Sequence, residues 1–330
     1  MIRQLVDVSD VTALVTDAAA APSLHNAQPW KFRFLRERGV LRLYADLERA
    51  LPRTDPDNRN LHLGCGAALL NLRVAAAASG RGPSVRLLPD RADPALLAEL
   101  DLHAHTPADA ALAELHPAIS RRHSSRHPFR DEQLPDGLTD RLCEAARGEG
   151  AELVFPGPWH VASILELVED AEGREAVDLG VRDEMAHWAH ATSTDAPGTS
   201  DGIPAEAFGP RQHGGAGFPV RDFAAGRKMP GRSWAAFEKN PHIALLGTVY
   251  DRPEDWLRAG QALERVLLRA TADGLVASVT SQPLEWPELR WAARDPVSDM
   301  AYVQMVIRVG HGPEGRPSPR RPVADLLDVE

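Results

Sequence analysis

Short polar side chains are concentrated between residues 22 and 30, which read PSLHNAQPW. Ser23, Asn26 and Gln28 supply one hydroxyl and two amide groups within this stretch. Such groups can hydrogen-bond the edge of a heteroaromatic ring or a polyol chain, so the stretch is a candidate small-molecule site. The same side chains could instead bond the local backbone of a turn, and residues 22–30 alone do not decide between these interpretations.

A second stretch, residues 121–129, concentrates positive charge in the string RRHSSRHPF. Guanidinium groups and hydroxyls together are what a phosphate dianion requires. The candidate anion ligands in this string are Arg122, His123, Ser124 and Arg126. Arg320 and Arg321 add a basic point near the C-terminus, where neighbouring prolines favour an extended backbone. An arginine cluster can also be a solvated surface, and that alternative stays open.

Metal ligation is not predicted. Glu184, His187 and His190 are spaced three residues apart, but no further ligand string accompanies them, and a solvated helix face explains the spacing. Cys65 and Cys143 are far apart and in no metal-ligand spacing.

Two similar apolar helices are predicted to position these strings. Residues 61–80 and 257–274 both carry Leu and Ala at helical spacing, and both end in a glycine followed by a predicted strand. An offset of 194 residues superposes Gly66 on Gly260 and Gly80 on Gly274. The two helices are therefore predicted to be copies of one another, although Ala-rich helices can also resemble each other by chance.

A second pair of similar helices lies upstream, at residues 11–23 and 138–150, and each precedes a predicted strand. The order helix, strand, helix, strand thus occurs twice, which predicts an internal duplication. The second copy carries an insertion of about 68 residues. Much of it, 191–233, is rich in Gly, Pro, Ser and Thr, which favours a long loop or lid over a packed element.

Composition favours small-molecule chemistry over binding to nucleic acid or to an anionic membrane surface. The chain has 330 residues and a formal charge of -10, whereas such partners require an excess of Lys and Arg. No apolar run is expected to approach the roughly 18 residues that span a bilayer, and a cytoplasmic location is expected.

Taken together, the two strings resemble the signatures of the nitroreductase superfamily, Pro-Ser-x-x-Asn-x-Gln-Pro-Trp and Arg-x-Ser-x-Arg. The sequence is more similar to the Acg-like branch, which shares the form RHSSRHPF and the segment DPDNR at 55–59. The resemblance implies an α+β nitroreductase fold and an FMN cofactor. It also implies NAD(P)H as electron donor and nitroaromatics or quinones as acceptors.

The resemblance also implies one composite site in each chain. In ordinary family members one copy of the fold carries both signatures, and each FMN lies between two subunits. Here the first half has the polar loop but opens with MIRQL, and the second half has the arginine string but Gly148-Glu149-Gly150 in place of the polar loop. We therefore expect halves at 1–115 and 116–330, a lid at about 183–240, and a monomer that imitates a dimer around one FMN.

Twelve residues are implied to bind FMN. Arg126 would face the N1/O2 side of the ring, while the N5 edge would be lined by Thr280, Ser281 and Gln282. Gln282-Pro283 replaces the acidic residue and glycine that are common at that edge. No acid, base or nucleophile triad is expected, because the flavin carries the chemistry. The remaining implied ligands are Ser23, Asn26, Gln28, Arg122, His123, Ser124, Arg320 and Arg321.

Two other functions stay open from sequence. A lid that covers the ring would make the protein an FMN storage or sequestering protein with little NAD(P)H-dependent activity. A specialised oxidase would instead show oxygen-dependent turnover without NAD(P)H. Aromatic side chains that could close such a lid are Trp188, Phe208, Phe218, Phe223 and Trp234.

Overall fold

The protein combines two β-sheets with a helical layer in a computed structural model that describes residues 6–190, 200–212, 221–224, 229, 231–298 and 300–330. The α+β class predicted from the sequence is confirmed. The helices of this part of the chain are α1 (Val8–Ala19), α2 (Arg59–Ala78), α3 (Ala110–Ala113), α4 (His116–Ile119), α5 (Leu138–Arg147), α6 (Pro158–Val177), α7 (Leu179–Trp188), α8 (Pro253–Ala272) and α9 (Pro287–Ala292). The strands are β1 (Trp30–Leu35), β2 (Val40–Ala45), β3 (Gly82–Leu87), β4 (Leu96–Thr106), β5 (Glu152–Val154), β6 (Ala189–His190), β7 (Ile203–Pro204), β8 (Arg211–Gln212), β9 (Trp234–Ala235), β10 (His242–Thr248), β11 (Val276–Thr280), β12 (Tyr302–Gly310) and β13 (Leu327–Val329).

The two main sheets share one strand order. The first sheet runs β13-β1-β2-β4-β3, and the second, taken from its first strand, runs β5-β10-β12-β11. Neighbouring strands pair antiparallel in both sheets, except that β13 lies parallel to β1. The 20-residue helices α2 and α8 occupy equivalent places, between the second and third strands of each half. A duplication would produce this arrangement, although common descent of the halves stays a prediction.

Helices α2 and α8 pack closely through a reciprocal contact between their glycines. A Cβ atom on Gly66 would lie 2.3 Å from the carbonyl oxygen of Leu257, and one on Gly260 would lie 2.1 Å from that of Leu63. These pairs exchange under the offset of 194 residues, so the contact is self-complementary, as in a symmetric dimer. Because no side chain fits between the helices, both glycines are required for this approach.

Helix α2 forms the centre of the core. By length and composition it could cross a bilayer, contrary to the expectation that no apolar stretch would reach that length, but 83% of its most apolar window is buried inside the protein. The carboxylate of Asp55 accepts hydrogen bonds from the backbone N–H groups of Asn60 and Leu61, both at 2.9 Å. The DPDNR segment therefore caps the start of the helix.

The C-terminal segment crosses to the first half, which the sequence analysis did not predict. After β12 the chain runs in extended form through 311–322, and β13 then joins β1, with Phe32 opposite Leu327. This crossing carries Arg316, Ser318 and Arg320 to the loop at residues 22–28.

The insertion lies between β5 and β10, and its described parts pack against the rest of the protein. As the lid hypothesis predicts, Trp188, Phe208 and Phe223 are buried. Trp234, another of the residues that could close a lid, lies in the short strand β9 and is 61% exposed. Phe218 lies outside the described residues.

Candidate active site

A partly open cavity, which we name the inner chamber, lies between the loop at 22–25, helices α2 and α8, strand β11 and the insertion. Its apolar walls are formed by Leu24, Leu63, Ile203, Phe223, Leu263, Val279 and Met305. Its polar wall residues are Ser23, His25, Asn60, Ser124, Arg126, Arg221, Ser278, Thr280, Ser281 and Gln282. Walls that combine apolar side chains with many hydrogen-bonding groups suit a flat heteroaromatic ligand whose edge carries donors and acceptors.

A second cavity, the basic chamber, continues from the first. Both are lined by Pro22, Ser23, Ser124, Arg126 and Ile203, so they form one cleft. The remaining residues that line the basic chamber are Asn26, Arg122, His123, Arg316, Ser318 and Arg320. Four guanidinium groups line this chamber, which makes it a strong candidate for binding an anion.

The loop at 24–28 has an unusual backbone that sets where its side chains lie. His25, Asn26 and Gln28 have positive φ angles of 52°, 56° and 52°, which are uncommon for residues other than glycine. Asn26 Nδ2 donates to Gly202 O at 2.8 Å, and Gln28 Nε2 donates to Ser200 O at 2.9 Å. These amides therefore attach the insertion to the loop and hold the strained backbone.

His25 is buried in the wall of the inner chamber, and neither ring nitrogen has a hydrogen-bond partner among the described residues. Ser278 Oγ and Gln282 Oε1 are likewise buried and unpartnered in the same wall. Burial, with Arg221 and Arg126 nearby, holds the pKa of His25 well below its ordinary value. The imidazole is thus neutral at pH 7. Buried polar groups are normally hydrogen-bonded, so these groups fit a ligand whose edge carries donors and acceptors.

The basic chamber is organised around the C-terminal end of α1. Arg122 and Arg320 both donate to Ala20 O, at 3.1 Å and 3.0 Å, and cations are favoured at a helix C-terminus. Behind them lies Glu264, whose Oε1 is 3.2 Å from Arg122 Nε. Complete burial raises the pKa of Glu264 to about 7, although Arg122 and Arg320 oppose this shift. One buried carboxylate therefore faces two buried cations, which leaves positive charge for a ligand.

Arg126 lies where the two chambers meet. It donates to Ala207 O at 2.9 Å and stacks 4.9 Å from the centre of the Phe223 ring. Burial, together with the nearby Arg221, lowers its pKa to about 10. It still carries a positive charge at neutral pH. Burial beside Arg122 and Arg320 lowers the pKa of His123, which favours its neutral form.

The wall opposite the loop contains a buried pair of carboxylates, Glu175 and Glu285. Ser281 Oγ donates to Glu285 Oε1 at 2.7 Å, and Gln282 Nε2 donates to Glu175 Oε2 at 3.0 Å. Arg221, from the insertion, is ion-paired with both, at 2.6 Å from Glu285. This ion triple joins the insertion to α6 and to the turn that follows β11.

Most of the residues selected from the sequence converge on the cleft, but two do not line it. Gln28 is fully buried, and its Oε1 accepts from the backbone N–H of Arg321 at 2.8 Å. Arg321 is ion-paired with Asp46 at 3.2 Å. Both attach the C-terminal segment to the first half. Contact of any of the twelve residues with FMN stays a prediction.

The sequence analysis missed several residues of the cleft wall. His25 lay inside a selected string but carried no signal that separated it from its neighbours. Arg316 and Ser318 lie in a proline-rich stretch beside the selected arginines. Arg221 and Phe223 had no local signal as ligands, because only the packing of the insertion brings them to the cleft.

The candidate metal cluster has a structural role where it is described. The carboxylate of Glu184 accepts hydrogen bonds from the backbone N–H groups of Arg53 and Thr54, at 3.0 Å and 2.9 Å, and thereby fixes α7. The side chain of His190 lies outside the described residues.

Comparisons with known proteins agree with the motifs. No protein-family model matches the sequence. A Mycobacterium tuberculosis protein named "Putative NAD(P)H nitroreductase" is 33% identical over 98% of this chain and 92% of its own length. The nitroreductase named acg from the same organism is 28% identical, over 98% of this chain and 97% of its own length.

Among solved structures, the FMN- and NADPH-dependent nitroreductase NfnB from a Sphingopyxis strain is 17% identical, with a TM-score of 0.39. That match covers 65% of this chain and 97% of NfnB. Similarity at this level bears on neither the fold nor the ligand of this protein. The relative that is 33% identical along nearly the full length of both chains decides the assignment: the chain belongs to the nitroreductase family.

Proposed function

We propose that the protein binds FMN in this cleft and transfers two electrons from NAD(P)H to small electrophilic acceptors, nitroaromatics or quinones. The observation that carries the proposal is the continuity of the inner chamber with the basic chamber. FMN consists of a flat ring joined to a phosphorylated tail, so the ring would fit the inner chamber and the phosphate would fit the basic chamber. The relatives named as NAD(P)H nitroreductases support the same donor and the same reaction class.

The residues of the cleft fit FMN in type and in charge. Arg122, Ser124 and Arg316 would hold the phosphate in the basic chamber. When bound, FMN supplies the two-electron chemistry. Arg126, fixed by Ala207 and Phe223, would stabilise the negative charge that reduction leaves on the ring, and so raise the reduction potential.

We propose one FMN per chain in a monomer. Only one cleft of this kind combines both signature strings among the described residues, and its walls come from both halves. Flavin absorbance per mole of protein, combined with sedimentation, tests this stoichiometry. A content near two per chain would contradict the composite site.

Storage of FMN is the second candidate, and the position of the insertion favours it. Ile203, Arg221 and Phe223 form part of the wall of the inner chamber. In this alternative the insertion would keep donors and acceptors away from the ring.

Anaerobic absorbance of the purified holoprotein with NADH or NADPH separates the candidates. Rapid bleaching of the flavin band, reversed by a nitroaromatic or a quinone, is the result expected of a reductase. A flavin that resists both pyridine nucleotides but bleaches with dithionite would favour storage. Oxygen-dependent turnover without NAD(P)H would favour an oxidase.

A further inference from the structure

Glu285 lies between the inner chamber and a second cavity that opens at the surface. On one side it accepts the 2.7 Å hydrogen bond of Ser281, which lines the inner chamber. On the other side it lines what we name the outer cleft. Trp291, at the rim of this cleft, is 67% exposed. The other main residues that line it are Arg59, Asn60, Arg290 and Tyr302.

The charges around Glu285 allow its carboxyl group to exchange a proton near neutral pH. Its side chain is only 4% exposed, and it faces Arg221 of the insertion, Glu175 of α6 and Arg59 of α2, while Arg290 of α9 lines the same cleft. Burial, opposed by Arg221 and assisted by Glu175, raises the pKa of Glu285 to about 7.

We propose that Glu285 and Ser281 form a relay that carries a proton from the outer cleft to an acceptor in the inner chamber. The proposal rests on the reductase function proposed above. Hydride transfer from NAD(P)H by way of the cofactor supplies two electrons and one proton. A quinone that becomes a hydroquinone needs one more proton, which must come from solvent.

The relay balances in one step. As one oxygen of the quinone receives the hydride equivalent, the Oγ–H proton of Ser281 moves to the other oxygen. Ser281 Oγ takes the proton of Glu285 at the same time, and the Glu285 carboxylate is reprotonated from the outer cleft. Protonated Glu285 donates to Ser281 in this step, so the hydrogen bond reverses relative to that of the carboxylate form.

The position of the insertion explains why a relay would be useful. Arg221 and Phe223 form part of the wall of the inner chamber, whereas Glu285 also lines the outer cleft, through which its proton can be replaced. Glu285 would act through Ser281 and is therefore a positioning and proton-supplying residue. Ser281 would be the group that touches the acceptor.

Single-turnover reoxidation of the holoprotein tests the relay. Flavin reduced anaerobically with dithionite is mixed with p-benzoquinone, in ordinary water and in deuterium oxide, between pH 5.5 and 8.5. The wild-type rate should fall as pH rises through about 7 and should show a solvent isotope effect. Glu285→Gln and Ser281→Ala should slow reoxidation by about 100-fold or more and remove the pH break.

Glu288→Gln is the matched control, because Glu288 lies in α9, is largely exposed and is ion-paired with Arg174. It should leave the rate and its pH dependence unchanged. Infrared spectra provide a readout independent of turnover. The carbonyl stretch of protonated Glu264 should titrate near pH 7 in both proteins, so the Glu285 signal is the additional stretch that titrates near pH 7 in wild type and is lost in Glu285→Gln.

The failure of the relay and that of the proposed function are distinguishable. If the wild-type flavin is reoxidised by quinone and Glu285→Gln matches it in rate, pH profile and isotope effect, the relay is wrong and the reductase function stands. If neither p-benzoquinone nor a nitroaromatic reoxidises the wild-type flavin at all, the proposed function is wrong, and the relay with it.

Discussion

The candidate active site has a counterpart in the other half of the molecule, and the two clefts differ in how their charges are satisfied. This counterpart, which we name the mate cleft, is lined by Arg73, Glu149, Glu254, Arg258 and Gln261, among others. The offset of 194 residues carries Asn60, Gly64 and Val279 of the inner chamber onto Glu254, Arg258 and Val85 of the mate cleft. The same kind of backbone therefore forms both clefts.

In the mate cleft the charged groups pair with one another. Glu149, at the position of the polar loop, is ion-paired with Arg73 and with Arg265, the latter at 2.7 Å. Arg258 pairs with Glu254 at 2.6 Å and lies beside Gly150.

The active-site cleft instead keeps polar groups without partners, as at His25, and cations in excess of carboxylates. The same kind of backbone thus leaves charged and polar groups available to a ligand in the active-site cleft, whereas in the mate cleft these groups form ion pairs with one another.

The strongest test of this comparison exchanges one residue between the clefts. Gly64→Arg introduces the side chain of Arg258 into the inner chamber, where even a Cβ atom would lie 3.2 Å from Ser23 Cβ. We expect FMN affinity to fall by on the order of 100-fold or more, because the side chain occupies the space of the ligand. Fluorescence titration of FMN-free protein measures it, and circular dichroism confirms folding.

The reciprocal change, Arg258→Gly, is the control for this exchange. It should leave FMN affinity unchanged, and it should not create a second site, since Glu149 remains. Normal FMN binding by folded Gly64→Arg would refute the placement of the ring.

Glu264 has no titratable counterpart in the first half, where Leu70 occupies the equivalent position. Its pH dependence therefore distinguishes the two halves. Its pKa of about 7 in the folded protein exceeds its ordinary value, so the native state binds more protons than the unfolded state between about pH 4.5 and 7. Its contribution to the free energy of unfolding is therefore present at low pH and is lost as pH rises through this window. The free energy of unfolding of FMN-free Glu264→Gln, taken relative to that of wild type, should therefore be ~3 kcal/mol higher at pH 8 than at pH 4.

Urea unfolding at the two pH values measures this difference. Glu254→Gln, in the mate cleft, removes a half-exposed carboxylate and should show a difference below about 0.5 kcal/mol. An equal effect of Glu264→Gln at both pH values would show that Glu264 does not titrate as described.

Arg122 and Arg265 are each paired with a buried glutamate, but only Arg122 lines the basic chamber. Arg122→Ala should weaken FMN binding by about 10- to 100-fold, the value of a charge-assisted hydrogen bond. Arg265→Ala should leave FMN binding intact. Equal FMN retention by both variants in equilibrium dialysis would contradict the phosphate assignment.

The smallest effect concerns the insertion, whose described residues help to line the active-site cleft but not the mate cleft. Phe223→Ala removes the ring that stacks on Arg126, and should speed FMN release by about fivefold, as expected for a loss of about 1 kcal/mol. Trp234→Ala, at an exposed position of the same insertion, should release FMN at the wild-type rate. Stopped-flow dilution distinguishes them, and equal release rates would argue against a closing role for Phe223.

Local patterns predicted the elements that position the site. The paired helices were visible because Gly66, Gly80, Gly260 and Gly274 recur at one offset. Close helix packing requires glycine at 66 and 260, and positive φ angles favour glycine at 80 and 274. The anion site was visible because two of its cations, Arg122 and Arg126, lie within five residues of one another. Neither prediction required knowledge of distant contacts.

Local patterns did not give the direction of side chains that depends on nonlocal packing. Gln28 was selected as a ligand together with Asn26, but the left-handed backbone at His25 and Asn26 turns the loop, and Gln28 contacts the C-terminal segment and does not line the cleft. Trp234 was one of five aromatic residues that could close a lid, and only the tertiary structure shows that it is exposed.

Sequence by itself determined the family, the paired helices and the two strings that meet in one cleft, because each depends on residues that are close together along the chain. Only the tertiary structure decided which polar groups keep a free hydrogen-bonding capacity there. Among the described residues the His25 ring has no hydrogen-bond partner, while the side chain of Asn26 beside it has three, since their neighbours come from the insertion and the C-terminal segment, more than 170 residues away. Burial and partnership are properties of packing, and they distinguish the active-site cleft from its mate.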